Sequence, residues 1–192
     1  LEGLTEFLPV SSTGHLILAV DHFRIALPPE RVFEVAIQSG AILAVCVVYF
    51  SSLRDVALGL RRDHRARSFV RNVVLTSLPA AVLGLLFHEP ILAALFDPSV
   101  VAVALILGGF AMLAAERIRT PIRFSDVSEI PSSAAIAVGA AQCLALVPGV
   151  SRSAATIIGA LIVGVERKTA AAYSFFVALP VLLGATGLQL VR

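Results

Sequence analysis

Apolar residues in this 192-residue chain come in long blocks, not in the narrow stripes of a soluble amphipathic helix. Residues 35–50, 73–87, 100–115 and 170–191 are mostly apolar runs that approach or reach the roughly 20 residues a membrane helix needs. Pro180 falls inside the last run and predicts a kink. Two further apolar stretches are interrupted: residues 1–20 at Pro9-Val10-Ser11-Ser12, and residues 132–165 at Pro148-Gly149-Val150-Ser151-Arg152. The flanks of each break are too short to span a bilayer. Proline and clustered hydroxyls end a helix, and a following Ser or Thr caps the next one. The two breaks read FLPVSSTGHLIL and LVPGVSRSAATIIGAL, both apolar, then proline, then hydroxyl-rich, then apolar.

These elements predict an all-α integral membrane protein, a polytopic helical bundle. If each break is the tip of a re-entrant helical hairpin, the first enters from outside and the second from the cytoplasm. That is an inverted-topology repeat, whose site lies near the midplane where the broken helices meet. Residues 1–115 then form a first repeat of one hairpin and three spans. Residues 116–192 form a second, shortened repeat of one hairpin and one span. The simpler alternative makes both breaks ordinary surface loops.

Composition supports lipid as the solvent. Hydrophobic residues are 58% of the chain and charged residues 15%, against about a quarter charged in a soluble domain, and mean hydropathy is +0.92. The net charge of +2 matters less than where it falls. Arg54, Arg61, Arg62, Arg65, Arg67 and Arg71 crowd one connecting segment. Between apolar spans this reads as a cytoplasmic loop and not as a nucleic-acid patch, so no nucleic-acid partner is expected. The segment 20–34 then lies in the periplasm, and 116–129, with Arg117, Arg119 and Arg123, in the cytoplasm. Cys46 and Cys143 sit in apolar runs without a CxxC spacing and read as small buried hydrophobes. The chain opens on Leu1, within a chemically loaded segment, and the second repeat is short. The expectation is a parent protein that extends at both ends.

Ionisable groups inside membrane segments are costly and mark function by default. Glu2 and Glu6 are four apart, so on a helix their carboxylates share a face and repel. A shared proton, a divalent cation or a nearby arginine would compensate; a solvated helix end is the plainer reading. Ser11, Ser12, Thr13 and His15 follow Pro9. Ser12 and His15, three apart, suit a nucleophile and its base, although hydroxyls that only cap a helix and a packed histidine explain the same residues. Arg152 stands between Ser151 and Ser153, with Gly149 before and Thr156 after. A helix N-terminus, a close-approaching glycine and a bidentate guanidinium together suit a phosphate; a snorkelling arginine is the alternative. Carboxylates, a nucleophile and a cationic clamp brought together suit phosphoryl transfer.

EGLTEFLPVSSTGHL and PGVSRSAATI resemble the two signature segments of the bacterial undecaprenyl-diphosphate phosphatase family, also known for bacitracin resistance. The first matches E-x-x-x-E followed by P-x-S-S-[ST]-G-H, and the second P-G-x-S-R-S-x-x-T. FEVAIQSGAILAV and AAAYSFFVALPVLLGAT are similar to the family as well. The resemblance implies a multi-pass protein of the bacterial inner membrane that hydrolyses undecaprenyl diphosphate to undecaprenyl phosphate and inorganic phosphate. It implies catalytic roles for Glu6, Ser12, His15 and Arg152, with either Ser12 or His15 attacking. Ser11, Thr13, Ser151, Arg152, Ser153 and Thr156 would bind phosphate. Glu2 and Glu6 would bind a divalent cation, Mg or Ca. A polyprenyl diphosphate lipid is the implied partner, and a homodimer is a further expectation. A lipid-phosphate transporter or flippase using the same site is the competing class. A phosphatidic-acid-type phosphatase lacks its second His-Asp motif here, and a serine protease its G-x-S-x-G.

Overall fold

The computed structural model describes residues 5–6, 8–24, 30–87, 90–91, 95, 97–117 and 120–191, with every side chain among them except those of 30–36, 38 and 188–191. Among the described residues all regular structure is helical, apart from one bridge. In chain order the helices are α1 (Ser12–Phe23), α2 (Glu30–Val48), α3 (Phe50–Gly59), α4 (His64–Leu86), α5 (Pro98–Arg117), α6 (Ser132–Gln142), α7 (Arg152–Ile162) and α8 (Arg167–Val191). α4, α5 and α8 are long and apolar enough to cross a membrane, and α2 with α3 passes the same test as a bent pair. The protein is a multi-pass helical membrane protein. α5 turns Ile106, Phe110 and Leu113 outward, all exposed, as a lipid-facing helix does.

Two expectations need correction. The run at 35–50 does not end as one straight helix: its axis turns by 77° between Val48 and Phe50. No proline or glycine stands there. The Tyr49 ring packs edge-on against Phe176 of α8, with centroids 4.9 Å apart, and the backbone bonds Tyr49 N–H to Val45 O and Leu53 N–H to Tyr49 O continue through the bend. The arginine-rich segment 54–71 is mostly helix and not loop. Asp63 caps α4 by accepting from the Arg65 N–H at 2.8 Å, so the helix begins nine residues before the apolar run at 73. Arginine is a good helix former and tolerates that exposed first turn.

The core lies between α4, α6 and α8, where Phe69, Val73, Val138, Tyr173 and Val177 are buried. Buried polar groups pin these helices in register. Asn72 Nδ2 donates to Ile130 O at 2.5 Å, Thr76 Oγ1 to Ala135 O at 2.8 Å, and Tyr173 OH to Asn72 O at 3.0 Å. Each of these groups is buried, so each needs an internal partner. Gly139 lets α6 lie directly on α4, since a Cβ there would stand 2.7 Å from Thr76 O.

α6 and α7 are 11 residues each, about 16 Å long, half the hydrocarbon thickness of about 30 Å. They pack on each other around the break at 147–151. Their far ends are joined where Phe124 bridges Val165 and Arg123 N–H donates to Gly164 O at 2.8 Å. Both arms therefore start and finish at the end of the bundle that carries the start of α4 and of α8.

Candidate active site

The two breaks fold by the same local rule. Ser11 precedes α1, and its Oγ accepts from the Gly14 N–H at 3.3 Å. Ser151 precedes α7, and its Oγ accepts from the Ala154 N–H at 3.2 Å. Each is an N-cap serine satisfying an otherwise orphaned donor. The breaks then meet. Gly14 and Gly149 are in such close approach that a Cβ on Gly14 would lie 3.2 Å from Gly149 Cα. Gly149 has φ 94°, and a Cβ on it would stand 2.6 Å from Val101 O of α5. Only glycine meets both demands.

This crossing brings Glu6 to Arg152 across 146 residues of chain. Arg152 Nη2 donates to Glu6 Oε1 at 3.0 Å, and the two side chains are only 17% and 15% exposed, so solvent screens the pair little. The other carboxylate oxygen, Glu6 Oε2, accepts from Ser12 Oγ. One carboxylate thus joins the hydroxyl of the first break to the guanidinium of the second. Arg152 Nη1 also reaches Ser174 O of α8 at 3.4 Å, and Ser153 Oγ donates to Leu8 O at 3.2 Å.

A cavity of about 260 Å³ opens at this junction. The first break lines it with Glu6, Ser11, Ser12 and Thr13, and the second with Gly149, Ser151, Arg152 and Ser153. The remaining sequence-predicted residues are placed differently. Thr156 is buried behind Arg152, its Oγ1 2.9 Å from Ser174 Oγ and 2.9 Å from Arg152 O. His15 lies half-buried along α1, and its Nδ1 meets Ser11 O at 2.9 Å instead of the Ser12 hydroxyl. Glu2 lies outside the described residues, as does the shared face expected for it and Glu6.

Ser11 adopts φ 61°, a left-handed conformation that costs a non-glycine residue about 1–2 kcal/mol. Such strain gathers at functional sites. His15, by bonding the Ser11 carbonyl, helps hold it. Sequence reasoning missed Ser174, whose one signal was a lone hydroxyl in the apolar run AAAYSFFVALP. It also missed the Leu8 carbonyl, which has no side-chain signal at all.

Among the described residues no group of three His, Cys, Asp or Glu side chains stands ready for a metal. A hard cation such as Mg is commonly held by one or two carboxylates together with substrate phosphate oxygens. Glu6, facing the cavity, fits that mode.

An undecaprenyl-diphosphatase of Parvibaculum lavamentivorans is 50% identical over 190 residues, covering 99% of this chain and 71% of that protein. One from Azospirillum brasilense is 55% identical over 173 residues, 90% of this chain and 92% of that protein. One from Sphingopyxis alaskensis is 51% identical over 191 residues, 99% of this chain and 72% of that protein. The family model described as Bacitracin resistance protein BacA matches residues 1–192, and with relatives at this identity along nearly its whole length, the chain belongs to that family.

Proposed function

We infer that the protein hydrolyses undecaprenyl diphosphate to undecaprenyl phosphate and inorganic phosphate, returning the lipid carrier to cell-wall synthesis. The relatives that cover nearly all of the chain are undecaprenyl-diphosphatases. The observation that carries the chemistry is the Glu6 carboxylate, shared by Ser12 Oγ and Arg152.

Ser12 Oγ attacks the terminal phosphorus, and its proton passes to Glu6. The anhydride P–O bond breaks, and undecaprenyl phosphate leaves with the bonding electron pair. Glu6 hands that proton to the departing phosphate, and the freed carboxylate then takes a proton from water; the water oxygen attacks the serine-bound phosphorus, and the serine oxygen leaves, regaining a proton from Glu6, as inorganic phosphate is released. Arg152, the α7 N-terminus and the Ser151 and Ser153 hydroxyls hold the phosphoryl oxygens as charge builds on them. His15 donates from Nδ1 to Ser11 O, which leaves the acceptor lone pair on Nε2; it keeps the strained serine turn in place beside the nucleophile. Glu6 and Glu2 would hold the Mg or Ca ion, which when bound neutralises phosphate charge.

The two breaks read as tips of re-entrant hairpins in an inverted repeat. The α6–α7 hairpin supports this with its short arms and joined mouth; the entering arm of the first hairpin falls largely outside the described residues. The mouth lies at the end where Arg65, Arg67, Arg71, Arg117, Arg167 and Lys168 gather, which the positive-inside rule assigns to the cytoplasm. The site touches Val101 near the start of α5 and Leu182 in the second half of α8. Both lie toward the opposite end, while Ser174, which Arg152 reaches, lies in the first half of α8; this supports a site near the midplane.

The test is phosphate release from undecaprenyl or farnesyl diphosphate by the purified protein, with Mg or Ca and with a chelator. Release that the chelator stops and either metal restores is expected. No release under any of these conditions overturns the reading.

A further inference from the structure

A second cavity, of about 330 Å³, lies between α4 and α8 on the far side of Arg152. Ala80, Ala81 and Gly84 form one wall and Pro180, Val181 and Gly184 the other. Arg152, Ala145 and Leu146 line both this cavity and the diphosphate cavity, so the two are neighbours through one guanidinium. Its body is apolar. Its polar lining is Ser77, whose Oγ donates to Val73 O, with Arg152 and Gln142, a fully buried side chain whose Oε1 has no hydrogen-bond partner among the described residues.

We propose that this cavity receives the first isoprene units of the lipid diphosphate, and that Gly184 controls the room they find there. The proposal rests on the phosphatase reading and extends it to chain recognition. A lipid whose head sits against Arg152 needs an apolar exit for its hydrocarbon, and this cavity adjoins that head group without crossing another charge. Its volume is at the small end of the roughly 300–1,000 Å³ of ligand sites, enough for the start of a long chain whose remainder lies in the bilayer. The small residues keep the walls apart: a Cβ on Gly84 would already stand 3.3 Å from Leu146 Cδ2, whereas one on Gly184 would meet nothing within 4 Å.

Gly184→Leu fills that space, and leucine is a far better helix residue than glycine, so the fold is retained. Two quantities are measured in detergent: kcat/KM for farnesyl diphosphate, and the inhibition constant of inorganic phosphate, which needs only the polar cavity. The expected result is a fall of about tenfold in kcat/KM, carried by KM, as follows from losing the burial of two or so methylenes. The phosphate constant stays within about twofold, and Gly184→Ala falls between. An unchanged KM means that the cavity holds a bilayer acyl chain or nothing of the substrate, and overturns the proposal. Equal changes in both constants mean a distorted site and overturn it too. A wild-type protein that releases no phosphate fails earlier, at the phosphatase reading itself.

Discussion

The break before α1 and the break before α7 share a plan: a proline, a serine cap and a helix that starts at a cavity. They differ in how they tolerate the turn and in what they deliver. The second places glycine where the backbone goes left-handed, at Gly149, and is fastened to the core through α6 and α8. The first places Ser11 in that conformation and accepts the strain. Its ties to the rest of the site include Glu6 to Arg152, Ser153 to Leu8 O and the Gly14–Gly149 crossing. On the proposed reading the second break is the anion cradle and the first carries the reactive groups, tied to it by these contacts and packed on α5 through α1. The proposed nucleophile and base, Ser12 and Glu6, are joined to the cradle through the bond from Arg152 to Glu6.

Removing the link between the two should have the largest effect. Arg152→Ala takes away the phosphate clamp and strands the Glu6 carboxylate, so kcat/KM for phosphate release should fall by about 10³-fold or more. Arg152→Lys should recover only part, since an ammonium cannot span two oxygens in a plane. Wild-type turnover in Arg152→Ala would break the assignment of the cradle.

Next come the reactive groups. Glu6→Gln should lower kcat by about 10²–10⁴-fold, the usual worth of a general base, and Ser12→Ala should match it in phosphate release. If Ser12→Ala keeps most activity while Glu6→Gln loses it, Glu6 activates water directly and the first break carries no nucleophile.

Gly149→Ala sharpens the structural half of the comparison. It adds a left-handed penalty of about 1–2 kcal/mol and drives a methyl into Val101 O, so both the thermal midpoint and activity should fall. Ser11→Gly should do the reverse for stability, raising it by about 0.5 kcal/mol as the strain relieved exceeds the cap lost. Unfolding curves of the two variants that shift in the same direction would undo the contrast.

The smallest effect lies at the hairpin mouth. The Ser128 hydroxyl and N–H, with the positive Arg65 adding to them, hold the Asp126 carboxyl below its usual range. A depressed native pKa stabilises above the unfolded value and loses that contribution as pH falls through the native one. Asp126→Asn should cost no more than about 0.5 kcal/mol near neutral pH, after allowing for the exposure of this loop. The difference from wild type should vanish in acid.

Much was legible from residue order because it depends on neighbours in the chain. Apolar runs long enough for lipid, prolines that end helices and serines that cap them are local physics, and α4, α5, α8 and both caps follow from it. Within 54–71 the local signal is a single carboxylate, Asp63, which caps a helix and sets its start ahead of the apolar run. The bend at Tyr49 has no proline or glycine to signal it, and the Tyr49 ring there packs against Phe176, on a helix more than a hundred residues away. The same limit applied at the site. Ser12 with His15 was the natural pair on one helical turn, yet Ser12 bonds Glu6, and His15 bonds a backbone carbonyl. Thr156, equally prominent in its motif, packs behind Arg152 against Ser174.

The chain alone thus determined the membrane class, the two breaks and the residue types that gather at them, because hydropathy and capping act over a few residues. Only the tertiary structure decided that one carboxylate joins a hydroxyl and a guanidinium. That contact requires two glycines to let the breaks cross, and close approach between distant segments has no signature in local sequence.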